Sequence, residues 1–187
     1  MTKGSLDPSY TQICRANKAI SDESWIKKFL MKAPVGVLAT VFEDQPFLST
    51  KLFVYNEARH AIYLHSADKG RVYLNVGINP KVCFTAYDMG RFLPAERSRE
   101  FGVEFESVVV FGQIEIVQNQ QEVIEVLEEL MVKYAPHLKL GVDYARIQED
   151  ELHGMALYRL EILGWSAKQD EGDPNHPGAY RYDQVSR

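Results

Sequence analysis

The residues of this chain best suited to chemistry are two cations set in a turn. Within 61–86, AIYLHSADKGRVYLNVGINPKVCFTA, an apolar run ends in His65 and Ser66 and a turn carries Lys69, Gly70 and Arg71. A short amphipathic segment follows, then Asn79-Pro80 as a break before a second apolar run. A guanidinium presents a planar fork of N–H donors that matches phosphate oxygens, and an ammonium adds a point charge. Lys69 and Arg71 between two strand edges therefore describe a pocket for a phosphate. A second wall is read from 47–55, where Ser49, Thr50 and Lys51 interrupt an otherwise apolar strand just before Leu52. A strand serving only as core would keep its alternation.

The other reactive side chains point to less. A basic turn on an acidic protein is commonly a solvated loop, and His65 at a strand end is either a satisfied structural histidine or a group acting beside a ligand. His60, His137, His153 and His176 share no metal-ligand spacing with one another or with Cys14 and Cys83, so no metal is expected. Cys83 lies between apolar neighbours and reads as core. Glu122, Glu125, Glu128 and Glu129 recur on one side of a helical pattern and read as a solvated face.

Composition bounds the rest. A chain of 187 residues, 45% hydrophobic, carries enough apolar material for one well-buried domain. The formal charge of -5 argues against a surface built for nucleic-acid phosphates or anionic lipid. Two cysteines without a pairing pattern, no long apolar run and a polar start to the chain lead to the expectation of a soluble, cytoplasmic protein with no membrane partner.

The elements that must position the candidate walls follow from periodicity and breakers. Residues 1–20, broken by Gly4 and Pro8, read as an arm that orders only by lying on something else. Ser21 or Asp22 caps a helix over 22–33 that Pro34 stops. Strands are expected at 35–42 and 47–55, forming a hairpin, and at 61–65, 81–88, 107–117 and 155–163. Gly112 marks a bend. Helices are expected over 71–78 and 120–135, and 89–106 reads as a long excursion, either a lid or a dimer contact. The tail from Gln169 reads as extended. These elements predict a mainly β fold: a six-stranded antiparallel sheet closed or half-closed into a split barrel, with peripheral helices. They form a single domain over 1–187, with its core at about 20–168.

In this order and spacing, VGVLATVFEDQPFLSTKLFVY, AIYLHSADKGR, NPKVCF, ESVVVFGQIEIV and the closing LYRLEILGWSAK resemble the flavin-binding split-barrel superfamily typified by pyridoxamine 5'-phosphate oxidase. Within it the chain is similar to the branch that includes 5-nitroimidazole resistance proteins. The resemblance implies FMN bound between the subunits of a homodimer. Ser49, Thr50, Lys51 and Leu52 would meet the flavin ring, His65 and Ser66 would add polar contacts, and Lys69 and Arg71 would hold the phosphate. Ser107 matches a position that reaches the flavin. Trp165 and Lys168 lie in the closing region where the partner contributes, Trp165 either stacking on the ring or merely packing.

The implied activity is reduction of a small organic molecule, nitroaromatic or quinone-like, with NAD(P)H as electron donor and His65 as the catalytic residue. Because flavin carries the hydride chemistry, the lack of a catalytic triad is expected. The alternative on the same fold is a flavin- or haem-binding carrier or sensor without turnover. Two departures stand out. Val72 follows Arg71 where a second basic residue is usual, and Ser49 and Val54 stand where the oxidase itself carries arginine and lysine, which argues against pyridoxamine phosphate as substrate.

Overall fold

The computed structural model describes residues 6–185; Gly4, expected to break the leading arm, lies outside them. Strand β1 (Ala19–Ile20) leads into helix α1 (Glu23–Lys32), whose first turn is capped by the Asp22 carboxylate accepting from the Ser24 N–H at 2.8 Å. Ile26, Phe29 and Leu30 form its buried stripe. Strands β2 (Gly36–Phe42) and β3 (Gln45–Lys51) make the expected hairpin, and β4 (Val54–Asn56) pairs with β5 (Ala61–Ala67). Helix α2 (Arg71–Ile78) separates β5 from β6 (Lys81–Leu93), and β7 (Gly102–Ile116) follows. Helix α3 (Gln120–Tyr134), capped by Asn119, precedes β8 (Met155–Asp170) and the short β9 (Tyr180–Arg181).

All these strands pair antiparallel in one nine-stranded sheet of order β3-β2-β6-β7-β8-β5-β4, with β1 on β8 and β9 on β6. Mainly antiparallel β with peripheral helices is the expected class, but the strand count is nine rather than six. The stretch 47–55 is not one strand. It breaks at Leu52 and Phe53, because its two halves pair with different neighbours: β3 with β2, and β4 with β5.

That break determines the shape. β3 and β4 are the two ends of the hydrogen-bonded path, yet only Leu52 and Phe53 separate them in the chain. A few extended residues reach on the order of 10 Å, so the sheet must roll until its edges meet. No ladder joins β3 to β4 along this seam, so the barrel is split.

The crossover is held from outside. Phe53 is fully buried, edge-on to Phe84 with ring centroids 4.9 Å apart. Its N–H donates to the Tyr134 hydroxyl at 2.9 Å, and that hydroxyl lies 2.8 Å from the Pro34 carbonyl and 3.0 Å from the Phe53 carbonyl. Lys133 places its ammonium 3.8 Å from the centre of the Phe53 ring and donates to the Phe53 carbonyl at 2.9 Å. Burial pulls the Lys133 amine down to about 8, while the carbonyl and the ring face favour its charged form.

Three further expectations are corrected. The stretch 89–106 is mostly strand: β6 and β7 continue as one long hairpin to Leu93 and Gly102, and Arg91 locks it by donating from Nε to Glu104 at 2.9 Å. Its charges read as loop because they pair across two strands. The last strand runs on past 163 to Asp170, because it lies along the whole of β7 with a register shift at Phe111 and Gly112. Gly112 is required there, since a Cβ would come within 2.1 Å of the Glu161 carbonyl oxygen.

The α3 glutamates are not a solvated face either. Glu122 accepts from the Tyr63 hydroxyl at 2.6 Å and from Arg159 at 3.0 Å, Glu125 accepts from Arg59 at 3.2 Å, and Glu129 accepts from the Asn56 amide at 3.1 Å. Their partners come from β4, the β4–β5 turn, β5 and β8, which helical periodicity cannot register.

Removing only the Tyr134 hydroxyl tests the clamp. Tyr134→Phe leaves the buried Phe53 N–H without an acceptor and is expected to lower unfolding stability in urea by about 1–3 kcal/mol. An unchanged midpoint would show that the seam does not depend on it.

Candidate functional site

The walls inferred for the site come together across the seam. The β4–β5 ladder ends with Val54 opposite Tyr63, leaving His65 and Ser66 beyond it, and β3 ends at Lys51 on the other side of the two-residue crossover. The electrostatics agree. Burial, with the Lys51 charge adding to it, holds the His65 imidazolium below its ordinary value of 6.5. The Lys51 ammonium is itself lowered by burial. Ser49 faces inward with Lys51 and is half-buried, whereas Thr50 and Leu52 are exposed. The His65 Nδ1 is buried without a hydrogen-bond partner, and Ser66 shares a 3.0 Å hydrogen bond with the Tyr158 hydroxyl.

The chain leaves β5 through the basic turn. Gly70 sits at φ 95° and ψ -174°, a conformation essentially restricted to glycine. It occupies the N-cap of α2 with no side chain closing the helix. In α1 and α3, Asp22 and Asn119 accept first-turn N–H groups, whereas the start of α2, beside Lys69 and Arg71, has no side-chain cap. Both cations are exposed, and neither makes an ion pair among the described residues. A helix start with free N–H groups and two adjacent cations attracts anions.

Val72 resolves the departure noted after Arg71. Its side chain is 7% exposed and belongs to the main core. A basic residue there would have to bury its charge in this fold, so the cationic positions are 69 and 71.

The remaining candidates lie elsewhere. Ser107 is opposite Tyr87 on β6 and Lys168 on β8, putting Ser107 and Lys168 together on the outer sheet face. Trp165 packs on the core side instead, edge-on to His60 at 4.9 Å between ring centroids and to Tyr55 at 6.4 Å. Within one chain it is brought to neither wall. Sequence reasoning missed Tyr158, which holds Ser66 from the neighbouring strand. The only signal for it was its place in the closing strand.

A sequence profile described as pyridoxamine 5'-phosphate oxidase matches residues 22–169. The chain belongs to the pyridoxamine 5'-phosphate oxidase family. A search among curated proteins finds no significant match. Among solved structures, the flavocytochrome of Azotobacter vinelandii superposes with a TM-score of 0.77 at 20% identity, covering 98% of this chain and 89% of that one. A FAD- and haem-binding protein of Mycobacterium smegmatis gives 0.73 at 18% identity, covering 84% and 76%. A candidate 5-nitroimidazole antibiotic resistance protein of Bacteroides thetaiotaomicron gives 0.67 at 19%, covering 82% and 90%. At these identities the likeness is one of fold, and this member shares the split barrel with all three. No helix among the described residues is long and apolar enough to cross a membrane.

The closeness of Lys51 and His65 has a measurable consequence. A histidine whose folded value is depressed binds protons more readily when unfolded, so this site subtracts stability as pH falls below 6.5 and subtracts nothing well above it. Lys51→Met removes one of the two depressing causes. The His65 titration, followed by NMR of its ring C–H signals, is expected to move upward toward its ordinary value. An unmoved titration would show that the two walls do not meet.

Proposed function

We propose that this protein is an FMN-dependent oxidoreductase that works as a homodimer and reduces a small organic molecule, nitroaromatic or quinone-like, with NAD(P)H as electron donor. The observation that carries this reading is the open start of α2 with unpaired Lys69 and Arg71, directly beyond a seam where Lys51 meets His65. A phosphate-bearing flavin fits that donor set. Its dianion matches the free N–H groups and the two cations, and its ring needs a slot with a few polar groups at the edge. The unpaired backbone at Leu52, the half-buried Ser49 and the orphaned His65 nitrogen provide such an edge.

When bound, flavin supplies the hydride chemistry. The protein's part is to hold and orient. Arg71 and Lys69 neutralise the phosphate, and the seam backbone with Ser49 and Thr50 fixes the ring edge. With its titration below the ordinary value, His65 is largely neutral at pH 7 and would offer its ring N–H as a hydrogen-bond donor to the substrate oxygen that gains charge on reduction, the proton taken up coming from solvent.

The homodimer is supported by the outer sheet face, where Leu48 is 65% and Tyr87 66% exposed. In that arrangement Ser107 and Lys168 would approach the flavin from the partner. The absence of arginine and lysine at Ser49 and Val54 supports a substrate other than pyridoxamine phosphate.

The flavin and haem proteins among the structural neighbours motivate a second reading, in which His65 ligates haem in a carrier or sensor without turnover. The visible spectrum separates the two, flavin absorption marking the first and a Soret band the second. Protein that is colourless, and stays so with micromolar FMN, would exclude the first reading. Arg71→Ala is expected to weaken FMN by about 30- to 150-fold, roughly 2–3 kcal/mol, with the fold intact by circular dichroism.

A further inference from the structure

The leading arm covers part of the outer sheet face. Leu6 lies so close to Gly164 that a Cβ there would come within 2.7 Å of its side chain, and Tyr10 tilts over Phe111 with ring centroids 5.7 Å apart. Between arm and sheet remains a cavity of about 500 Å³, lined mostly by apolar side chains. Register defines its floor. Ala39 lies opposite Cys83, and Cys83 opposite Phe111, forming one apolar row. Two residues along, on the same face, Lys81 lies opposite Gln113.

The polar groups at that end are free to recognise a ligand. The Lys81 ammonium has no ion pair and the Gln113 amide no hydrogen bond among the described residues. Both acids bordering that end are engaged: Asp7 caps a 3-10 turn, accepting from the Ser9 N–H at 2.8 Å, and Glu161, opposite Gln113 on β8, is not free either. The cavity thus has an apolar floor, the Tyr10–Phe111 aromatic pair at its side, and a cation beside an amide at one end.

We infer that this slot binds a small planar aromatic carboxylate. The ring lies along Cys83 and Ala39 beside the Tyr10–Phe111 pair, and the carboxylate rests on Lys81 and Gln113. The volume suits a ligand of two or three rings. One cation and one amide match a monoanion, whereas a phosphate dianion calls for more donors, as at α2. The slot is separate from the seam. Gly36, not Ala39, lies opposite Lys51, and three residues of strand are about 10 Å.

Cys83 supplies the readout, since its half-buried thiol lines the slot and burial raises its pKa. In the full chain with Cys14→Ser it is the single cysteine. Saturating 2-naphthoate is expected to slow its alkylation by N-ethylmaleimide at least about fivefold, with uncharged 2-naphthylmethanol protecting more weakly. Lys81→Gln should raise the naphthoate concentration needed for half-protection about tenfold, and Lys81→Arg should restore it. The inference is overturned if millimolar naphthoate gives no protection, if Lys81→Gln is protected as well as the parent, or if Arg71→Ala abolishes protection and so assigns the effect to the α2 site.

Discussion

The rest of this structure depends on one short crossover. Leu52 and Phe53 carry the chain from one end of the hydrogen-bonded path to the other, and no flat sheet can accommodate that step. Rolling the sheet satisfies chain continuity and simultaneously buries its inner face: Leu38, Phe84, Val108, Val110, Tyr158 and Leu160 are all fully enclosed. The seam that remains is what chemistry can use. Edge backbone that a ladder would otherwise consume stays free, beside side chains that the ladder's end leaves uncommitted.

Electrostatics follow from the same geometry. Desolvation at the seam works against charge on both Lys51 and His65, and each charge makes the other less favourable. Such a juxtaposition costs stability and persists because the surrounding barrel determines it. A bound anion near Lys51 would relieve it. The uncapped start of α2 works in the same direction, for Asp22 and Asn119 show that helices in this chain are otherwise capped by side chains. Gly70 gives up that cap in a chain with abundant carboxylates, and the free donors are left beside Lys69 and Arg71.

The class of fold was legible in the sequence because each strand and helix carries its own period, and the ends of α1, α2 and α3 fall within a residue or so of their caps and breakers. What could not be read was pairing between distant elements. From Leu52 to Tyr55 the run is continuously apolar, so nothing local marks the change of partner at Leu52 and Phe53. The charged stretch around Arg91 and Glu104 mimics a loop because its compensation is cross-strand. The site was partly legible. The basic turn and the polar interruption announce themselves by residue type, but the meeting of Lys51 with His65 depends on how far the barrel is sheared, and the burial of Val72 depends on how α2 rotates onto β2.

Helix α3 shows which forces hold the seam. Its glutamates bridge to Asn56, Arg59, Tyr63 and Arg159; the two ion pairs among these, Glu125–Arg59 and Glu122–Arg159, are partly exposed and of a kind individually worth about 0–1 kcal/mol. Burial of Val123, Val126 and Leu130 contributes about 1.5–3 kcal/mol for each side chain. The apolar stripe therefore does the holding, and the charges select the helix's rotation and position on β4 and β5. Its last turn then carries Lys133 and Tyr134 onto Phe53. One helix grips the β5 lip along its length and the crossover at its end, so the width of the seam is set by α3. A peripheral helix that touches neither Lys69 nor Arg71 thus bears on the seam through Phe53.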